Sequence, residues 1–77
     1  MEVSVKLISI FTKYGKNLDN GTVILKEGDT VATLAQRLGL PMKYVRLVFV
    51  NGKQVGLDYT LSQGDSVFFL PPALGGG

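Results

Sequence analysis

One segment of the sequence has its apolar residues at the spacing of an amphipathic helix, and it lies between stretches with the patterns of β-strands. These residues recur at i, i+3, i+4 and i+7, and they are Val31, Leu34, Ala35 and Leu38. Thr30 suits the N-cap position, where its hydroxyl would accept from the amide of Ala32 or Thr33, and Gly39 suits a left-handed C-cap. Because a single helix covers a single face of a sheet, the other face is left for water or a partner.

Five segments have strand patterns. In the first, apolar and polar residues alternate from Val3 to Leu7. The pair Asn51-Gly52 is the strongest hairpin signal, because both central residues of a type I′ turn need positive φ. The predicted strands are residues 3–11, 22–26, 45–50, 53–55 and 66–70, joined by a polar loop at 12–21 and a crossover at 40–44. Near its end the first strand is apolar on both faces, at Ile8, Ile10 and Phe11, as in a strand at the centre of a sheet.

The order of these elements is ββαβ(β)β, with the first and last strands adjacent and parallel. It predicts an α+β protein with the β-grasp architecture, a mixed sheet of four to five strands with one helix packed across one face. We predict one domain over residues 1–70 and a flexible C-terminal tail over residues 71–77.

Both faces of the predicted sheet carry large apolar residues. We assign Leu47, Val67 and Phe69 to the core. The open face then receives Val48, Phe68 and Leu70 beside Arg46, which predicts an apolar patch with a charged rim, typical of a protein-binding surface. The alternative is that these strands are simply buried on both sides. One conflict stays open, because a strict two-residue turn at 51–52 puts Val55 on the side of Val48, whereas Val55 suits the core.

The last seven residues contain nothing that packs as a helix or strand. Pro71 and Pro72 fix φ and lack the amide donor that would extend a sheet, and Gly75, Gly76 and Gly77 add backbone freedom without side chains. Fully extended, this stretch reaches roughly 23 Å at about 3.3 Å per residue. It predicts a thread that holds a carboxylate clear of the body, and the alternative is a frayed terminus or a linker.

Composition argues against catalysis by the chain itself. The sequence has no cysteine and no histidine, and its acids form no cluster, so it offers neither a catalytic constellation nor a metal site. The net charge is only +2 and the basic residues are scattered along the sequence, which does not favour a nucleic-acid partner. No segment approaches the ~20 apolar residues of a membrane span, so we expect a soluble, cytoplasmic protein.

Nearly the whole chain resembles the small ubiquitin-like sulfur carrier proteins, most specifically at its end. Residues 68–77 read Phe-Phe-Leu-Pro-Pro-Ala-Leu-Gly-Gly-Gly, similar to the phenylalanine-rich strand, Pro-Pro pair and terminal Gly-Gly of the small subunit of molybdopterin synthase (MoaD-like). The thiamine-pathway carrier (ThiS-like) is a near relative, and residues 46–49, 52–54 and 57–59 also resemble ubiquitin. The family ends in two glycines and this chain in three, so Gly77 would lengthen the thread unless processing removes it.

The resemblance implies a non-catalytic carrier subunit for molybdopterin (molybdenum cofactor) biosynthesis. A ubiquitin-activating-type adenylyltransferase (MoeB/ThiF-like) would use ATP to adenylate Gly77, and sulfur from a donor protein would replace AMP to give a thiocarboxylate. The carrier itself would hold no cofactor. Four residues would thread the tail into the partners' active sites: Pro71, Pro72, Gly75 and Gly76. The patch would hold the activating enzyme and then the large subunit of a sulfur-accepting synthase (MoaE-like), and it comprises Arg46, Val48, Phe68 and Leu70.

Three alternatives remain at this point. The chain could serve thiamine synthesis or another thiolation pathway, because the resemblance does not distinguish these pathways from molybdopterin synthesis. It could be a ubiquitin-like modifier joined to lysines through an isopeptide bond, since the activation chemistry is the same. Residues 50–65 also look like the end of a TGS domain, a β-grasp module of tRNA synthetases and regulatory GTPases that would point to RNA binding or regulation.

Overall fold

The computed structural model describes residues 1–72, which form a five-stranded mixed sheet with one α-helix against one face. The elements are β1 (Glu2–Leu7), β2 (Thr22–Ile24), α1 (Val31–Leu38), β3 (Leu47–Val50), β4 (Lys53–Val55) and β5 (Ser66–Leu70), with 3-10 helices at Ser9–Asn17 and Met42–Tyr44. The strand order is β2-β1-β5-β3-β4, in which only β1 and β5 are parallel. The β-grasp architecture predicted from the sequence is confirmed.

Helix α1 begins and ends where its capping residues predict. The Thr30 hydroxyl accepts a hydrogen bond from the amide of Thr33 at 3.3 Å. Gly39 adopts a left-handed conformation with φ 80°, and its amide donates to the carbonyls of the last turn. The apolar stripe of α1 is fully buried against the sheet. Within residues 1–72, no helix has the length and apolar content needed to span a bilayer.

The core lies between α1 and the inner face of the sheet. Its largest fully buried side chains are Val3, Phe11, Val31, Leu34, Leu38, Val48, Val67 and Phe69. The predictions that the first strand runs to residue 11 and that residues 12–21 form a loop are both wrong in part, because β1 ends at Leu7 and a 3-10 helix covers Ser9–Asn17. Apolar side chains hold this segment against the body, because Phe11 is fully buried and Tyr14 and Leu18 pack against the core.

The prediction of which β3 residues face the core is wrong, and the physical reason is the register in which β3 pairs with β5. In the antiparallel pair of β3 and β5, Val48 lies opposite Phe69 and Phe49 opposite Phe68. Residues directly opposite point to the same face, so Val48 joins Phe69 in the core with an exposed fraction of only 2%. Leu47, predicted in the core, is instead on the open face and 36% exposed.

The same register resolves the conflict over Val55. The two-residue turn at Asn51 and Gly52 pairs Val50 with Lys53 and Val48 with Val55. Both turn residues have positive φ, 53° and 84°, as a type I′ hairpin requires. Val55 therefore lies on the side of Val48 and packs against the core, with no bulge in the pairing.

Candidate functional site

The face of the sheet opposite α1 has a polar half and an apolar half. The polar half lies on β1 and the start of β5, where the hydroxyls of Ser4 and Ser66 are 3.2 Å apart. The apolar half lies on β3 and the end of β5. We call it the apolar patch, and its residues are Leu47, Phe49, Phe68 and Leu70.

Two aromatic rings form the centre of the apolar patch. The centroids of Phe49 and Phe68 are 6.3 Å apart with an interplanar angle of 31°, within the range in which aromatic pairs attract one another. The ammonium of Lys6 lies 5.8 Å from the centroid of the Phe68 ring, which places a cation at the edge of the patch. Beside these rings is an open groove of about 710 Å³, lined by residues of β1, β3 and β5 and by Gly52.

A second groove lies where β5 ends and the tail begins. It has a volume of about 390 Å³, and its lining comprises Lys43, Tyr44, Arg46, Leu47 and Pro72. The Arg46 Nε donates to the carbonyl of Lys43 at 3.2 Å, so the guanidinium is held back toward the Met42–Tyr44 helix. Leu47 belongs to both this groove and the apolar patch, which makes the two one continuous surface.

The predicted site residues divide into four groups. Phe68 and Leu70 lie on the open face where the sequence placed them, and Arg46 lies at the rim of the second groove. Val48 does not belong to the surface, because it is buried against Phe69. Pro71 and Pro72 follow β5 and are half-buried. The three remaining positions, Gly75, Gly76 and Gly77, lie outside the described residues.

Sequence reasoning missed two members of the surface, Leu47 and Phe49. The signal that could have found them is the 51–52 turn. With Val55 in the core, the two-residue turn forces Val48 inward, and alternation along the strand then sends Leu47 and Phe49 outward.

The surface has the features of a binding site for a protein. Large half-buried apolar side chains occupy its centre, and Lys6, Lys43 and Arg46 surround them. The one buried charged side chain in the described part of the chain, Asp65, is used structurally, since its carboxylate accepts from Asn51 at 2.9 Å and from the Ser62 amide at 2.8 Å. Residues 1–72 contain no group of three or more potential metal ligands.

Comparison with known proteins agrees with this architecture. Two crystal structures of small archaeal modifier protein 1 from Haloferax volcanii share the fold. One has a TM-score of 0.71 at 20% identity and covers 99% of this chain and 100% of that chain. The other has a TM-score of 0.72 at 18% identity and covers 94% and 98%. These likenesses confirm the ubiquitin-like fold.

The search of curated proteins gave no significant match. The family described as Mut7-C ubiquitin matches residues 6–73, which is most of the sequence and includes the whole candidate surface from Lys6 to Pro72. The chain belongs to the Mut7-C ubiquitin family.

Proposed function

We propose that the chain is a ubiquitin-like carrier protein whose Gly77 carboxylate is adenylated by a separate enzyme and converted to a thiocarboxylate for sulfur donation. The observation that carries this proposal is the position of the apolar patch. Strand β5 supplies Phe68 and Leu70 to the patch and then leads directly through Pro71 and Pro72 into the glycine-rich segment. A partner seated on the patch would therefore lie next to the start of that segment.

The chemistry needs an activated carboxylate, because a free carboxylate is a poor electrophile. A carboxylate oxygen of Gly77 attacks the α-phosphorus of ATP, and pyrophosphate leaves with the electron pair of the broken P–O bond. Hydrosulfide released by a donor protein then attacks the acyl carbon, the bond to AMP breaks so that AMP leaves, and loss of the S–H proton gives the thiocarboxylate. All catalytic groups belong to the partners, so the chain is a co-substrate and its own residues bind, orient and present the acyl carbon.

We assign a different role to each of the two parts of the chain. In our proposal residues 1–70 are the docking domain and residues 71–77 are the flexible tail, with Gly77 as the site of activation. Five residues follow Pro72, and fully extended they span at most roughly 17 Å at about 3.3 Å each. Gly75 and Gly76 would pass a narrow channel in which a Cβ would collide, and the fixed φ of Pro71 and Pro72 would reduce the entropy lost on docking.

We assign three partners by chemistry. They are an adenylyltransferase of the ubiquitin-activating type (MoeB/ThiF-like), a sulfur donor protein, and the large subunit of a sulfur-accepting synthase (MoaE-like). Molybdopterin biosynthesis is the proposed pathway, since the phenylalanine-rich strand followed by Pro71-Pro72 resembles the molybdopterin-type carrier.

A second candidate function is protein modification. It is supported by the fold shared with small archaeal modifier protein 1 over nearly the whole of both chains. The activation step is the same, and the two functions differ only in the nucleophile. A lysine ε-amine attacking the acyl carbon gives an isopeptide bond, whereas hydrosulfide gives a thiocarboxylate.

The test is activation by the adenylyltransferase, followed as ATP–pyrophosphate exchange. Deletion of Gly76-Gly77 should abolish exchange and leave the unfolding curve unchanged. Phe68→Ala should lower kcat/KM by roughly 5-fold or more, because truncation of a residue at the energetic centre of an interface costs more than about 1 kcal/mol. Ile24→Ala is the matched control, since Ile24 is 60% exposed on the same face but lies on edge strand β2. Exchange that survives the deletion, or equal losses for both point variants, would contradict the proposal.

A further inference from the structure

The basic residues, scattered in the sequence, are gathered at one end of the folded molecule. Strands β1 and β5 run in parallel and finish at the same edge of the sheet, and β3 begins there. We call this the tail end, because Pro71 and Pro72 leave from it. Six of the eight basic residues lie there, and they are Lys6, Lys13, Lys16, Arg37, Lys43 and Arg46.

The positions of these six basic residues follow from three observations: the pairing of β1 with β5, the lining of the second groove, and one hydrogen bond. Lys6 lies on β1 opposite Phe68, and Lys43 and Arg46 line the groove that contains Pro72. The other three follow from a single link, the hydrogen bond from Asn17 Nδ2 to the Leu38 carbonyl at 2.8 Å. It joins the end of the Ser9–Asn17 helix to the end of α1, which together carry Lys13, Lys16 and Arg37.

The acidic residues are at the opposite end. Only Asp19 lies toward the tail end, just before β2. The other five are at the start of β1, in the turn before α1, in the 56–62 arc and before β5, and they are Glu2, Glu27, Asp29, Asp58 and Asp65. With Lys26 and Lys53 also at that end, the tail end carries a formal charge of +5 and the other end −3, consistent with +2 for the whole chain.

We propose that the tail end is a docking surface for an acidic protein partner, one that presents carboxylates around an apolar centre. The inference rests on the proposed function. It specifies the surface chemistry of the partners that bind and modify the tail. The lining favours a protein over a nucleic acid, because Leu47, Leu70 and Pro72 lie among the cations and nucleic-acid interfaces are much more polar.

The charges act mainly on the rate of encounter. Lys6, Lys43 and Arg46 are exposed, so each ion pair they form at the rim is screened by solvent and contributes little to the lifetime of a complex. Their summed field steers an oppositely charged partner and raises association rates by about 10- to 1,000-fold at low salt. The steering also orients the molecule, because it brings the tail end toward the partner first.

The first experiment compares two double charge reversals that change the net charge equally. Lys43→Glu with Arg46→Glu alters the tail end, and Lys26→Glu with Lys53→Glu alters the opposite end. At about 0.1 M salt, where the Debye length is about 10 Å, the tail-end variant should lose roughly 10-fold or more in kcat/KM for adenylation while kcat changes little. At about 1 M salt, where the Debye length is about 3 Å, most of this difference should disappear.

The control variant should stay close to the unmodified chain at both salt concentrations. Equal losses in the two variants, or losses that are independent of salt, would overturn the inference while adenylation itself still supported the proposed function. Thermal unfolding of both variants checks that the exposed substitutions leave the fold intact.

The second experiment needs no enzyme. A synthetic peptide of alternating Glu and Leu, and a single-stranded oligonucleotide of the same charge, are titrated into the ¹⁵N-labelled chain. The peptide should shift the amides of Lys6, Arg46 and Phe68 and should bind more tightly than the oligonucleotide at equal salt. Tighter binding of the oligonucleotide, or peptide shifts confined to the opposite end, would overturn the inference. Peptide binding at the tail end in a chain that no enzyme adenylates would contradict only the proposed function.

Discussion

Threonine substitutions at two neighbouring residues of β3 test which face of the strand is buried. Val48 is 2% exposed and lies opposite Phe69, whereas Leu47 is 36% exposed on the open face. Threonine is β-branched and suits a strand at either position. Val48→Thr keeps the shape of the side chain and places a hydroxyl in the core. Leu47→Thr is the larger change in volume, but its hydroxyl remains in water.

The expected losses in the free energy of unfolding follow from how deeply Val48 and Leu47 are buried. A hydroxyl buried without a partner costs about 1–3 kcal/mol in proteins, so we expect Val48→Thr to lower the free energy of unfolding by about 2 kcal/mol. Leu47→Thr removes about two carbons, worth about 0.8 kcal/mol each when fully buried, so with 36% exposure the loss is at most about 1 kcal/mol. At 4–8 °C per kcal/mol for a domain of this size, Val48→Thr should lower Tm by about 8–16 °C.

The assay is urea unfolding of both variants and the unmodified chain, with pyrophosphate exchange measured on the same samples. Val48→Thr should lose stability and keep its kcat/KM below the transition. Leu47→Thr should keep most of its stability and lose kcat/KM, because Leu47 belongs to the apolar patch. If Leu47→Thr cost more stability than Val48→Thr, the register of β3 against β5 and the surface derived from it would be wrong.

Three further substitutions and one control test the local interactions that hold the fold, each by urea or thermal unfolding. Thr30→Ala removes the N-cap of α1 and should cost about 1 kcal/mol; an unchanged free energy of unfolding would refute the cap. Asp65→Asn turns an acceptor facing Asn51 or the Ser62 amide into a donor and should cost about 1–3 kcal/mol. Gly39→Ala puts a side chain at φ 80° and should cost about 1–2 kcal/mol of unfolding free energy. Gly15→Ala is the control and should cost nothing, because a Cβ added at Gly15 meets open space and the residue has no positive φ.

These substitutions also have distinct outcomes that would contradict the structure. Asp65→Asn as stable as the unmodified chain would mean that the carboxylate is not held by the two donors. Equal effects of alanine at Gly39 and Gly15 would mean that the end of α1 is not a left-handed cap, because the Cβ at Gly39 meets nothing closer than Tyr14 at 4.0 Å and therefore reports the backbone alone.

Local signals in the sequence predicted most of the fold. The apolar stripe and its caps predicted α1 from Val31 to Leu38, and the alternation in residues 66–70 predicted both β5 and its two faces. These elements are determined by short-range chemistry, namely a hydroxyl three residues before an amide, a glycine at the end of a helix, and a period of two.

The errors concern long-range pairing. A strand such as β3 is apolar at every position from Leu47 to Val50, so alternation does not distinguish its faces. The register against β5 determines the faces through residues about twenty positions away, and the shorter-range signal, the two-residue turn at 51–52, distinguishes them only once Val55 is placed in the core. The 3-10 helix at Ser9–Asn17 was missed for a similar reason, because Ile10 and Phe11 also suit the end of a strand, and the burial of Phe11 against the core is a tertiary effect.

The candidate site shows the same division. The position of Phe68 and Leu70 on the open face was predicted correctly, because they alternate with Val67 and Phe69 on one strand. The gathering of Lys6, Lys43 and Arg46 at the tail end could not be read from the sequence, since the parallel pairing of β1 and β5 and the start of β3 at the same edge bring these residues together.

The state of the Gly77 carboxyl group in the cell decides whether the chain carries sulfur. The chain is isolated from its native cell under conditions that preserve thiocarboxylates, and its intact mass is measured. We predict a population heavier by the replacement of one oxygen with sulfur, localised to the peptide that ends in Gly77 and absent when the adenylyltransferase is deleted. An unmodified carboxylate in every sample, with neither thiocarboxylate nor isopeptide conjugates, or a chain in which Gly77 is followed by further residues, would contradict it.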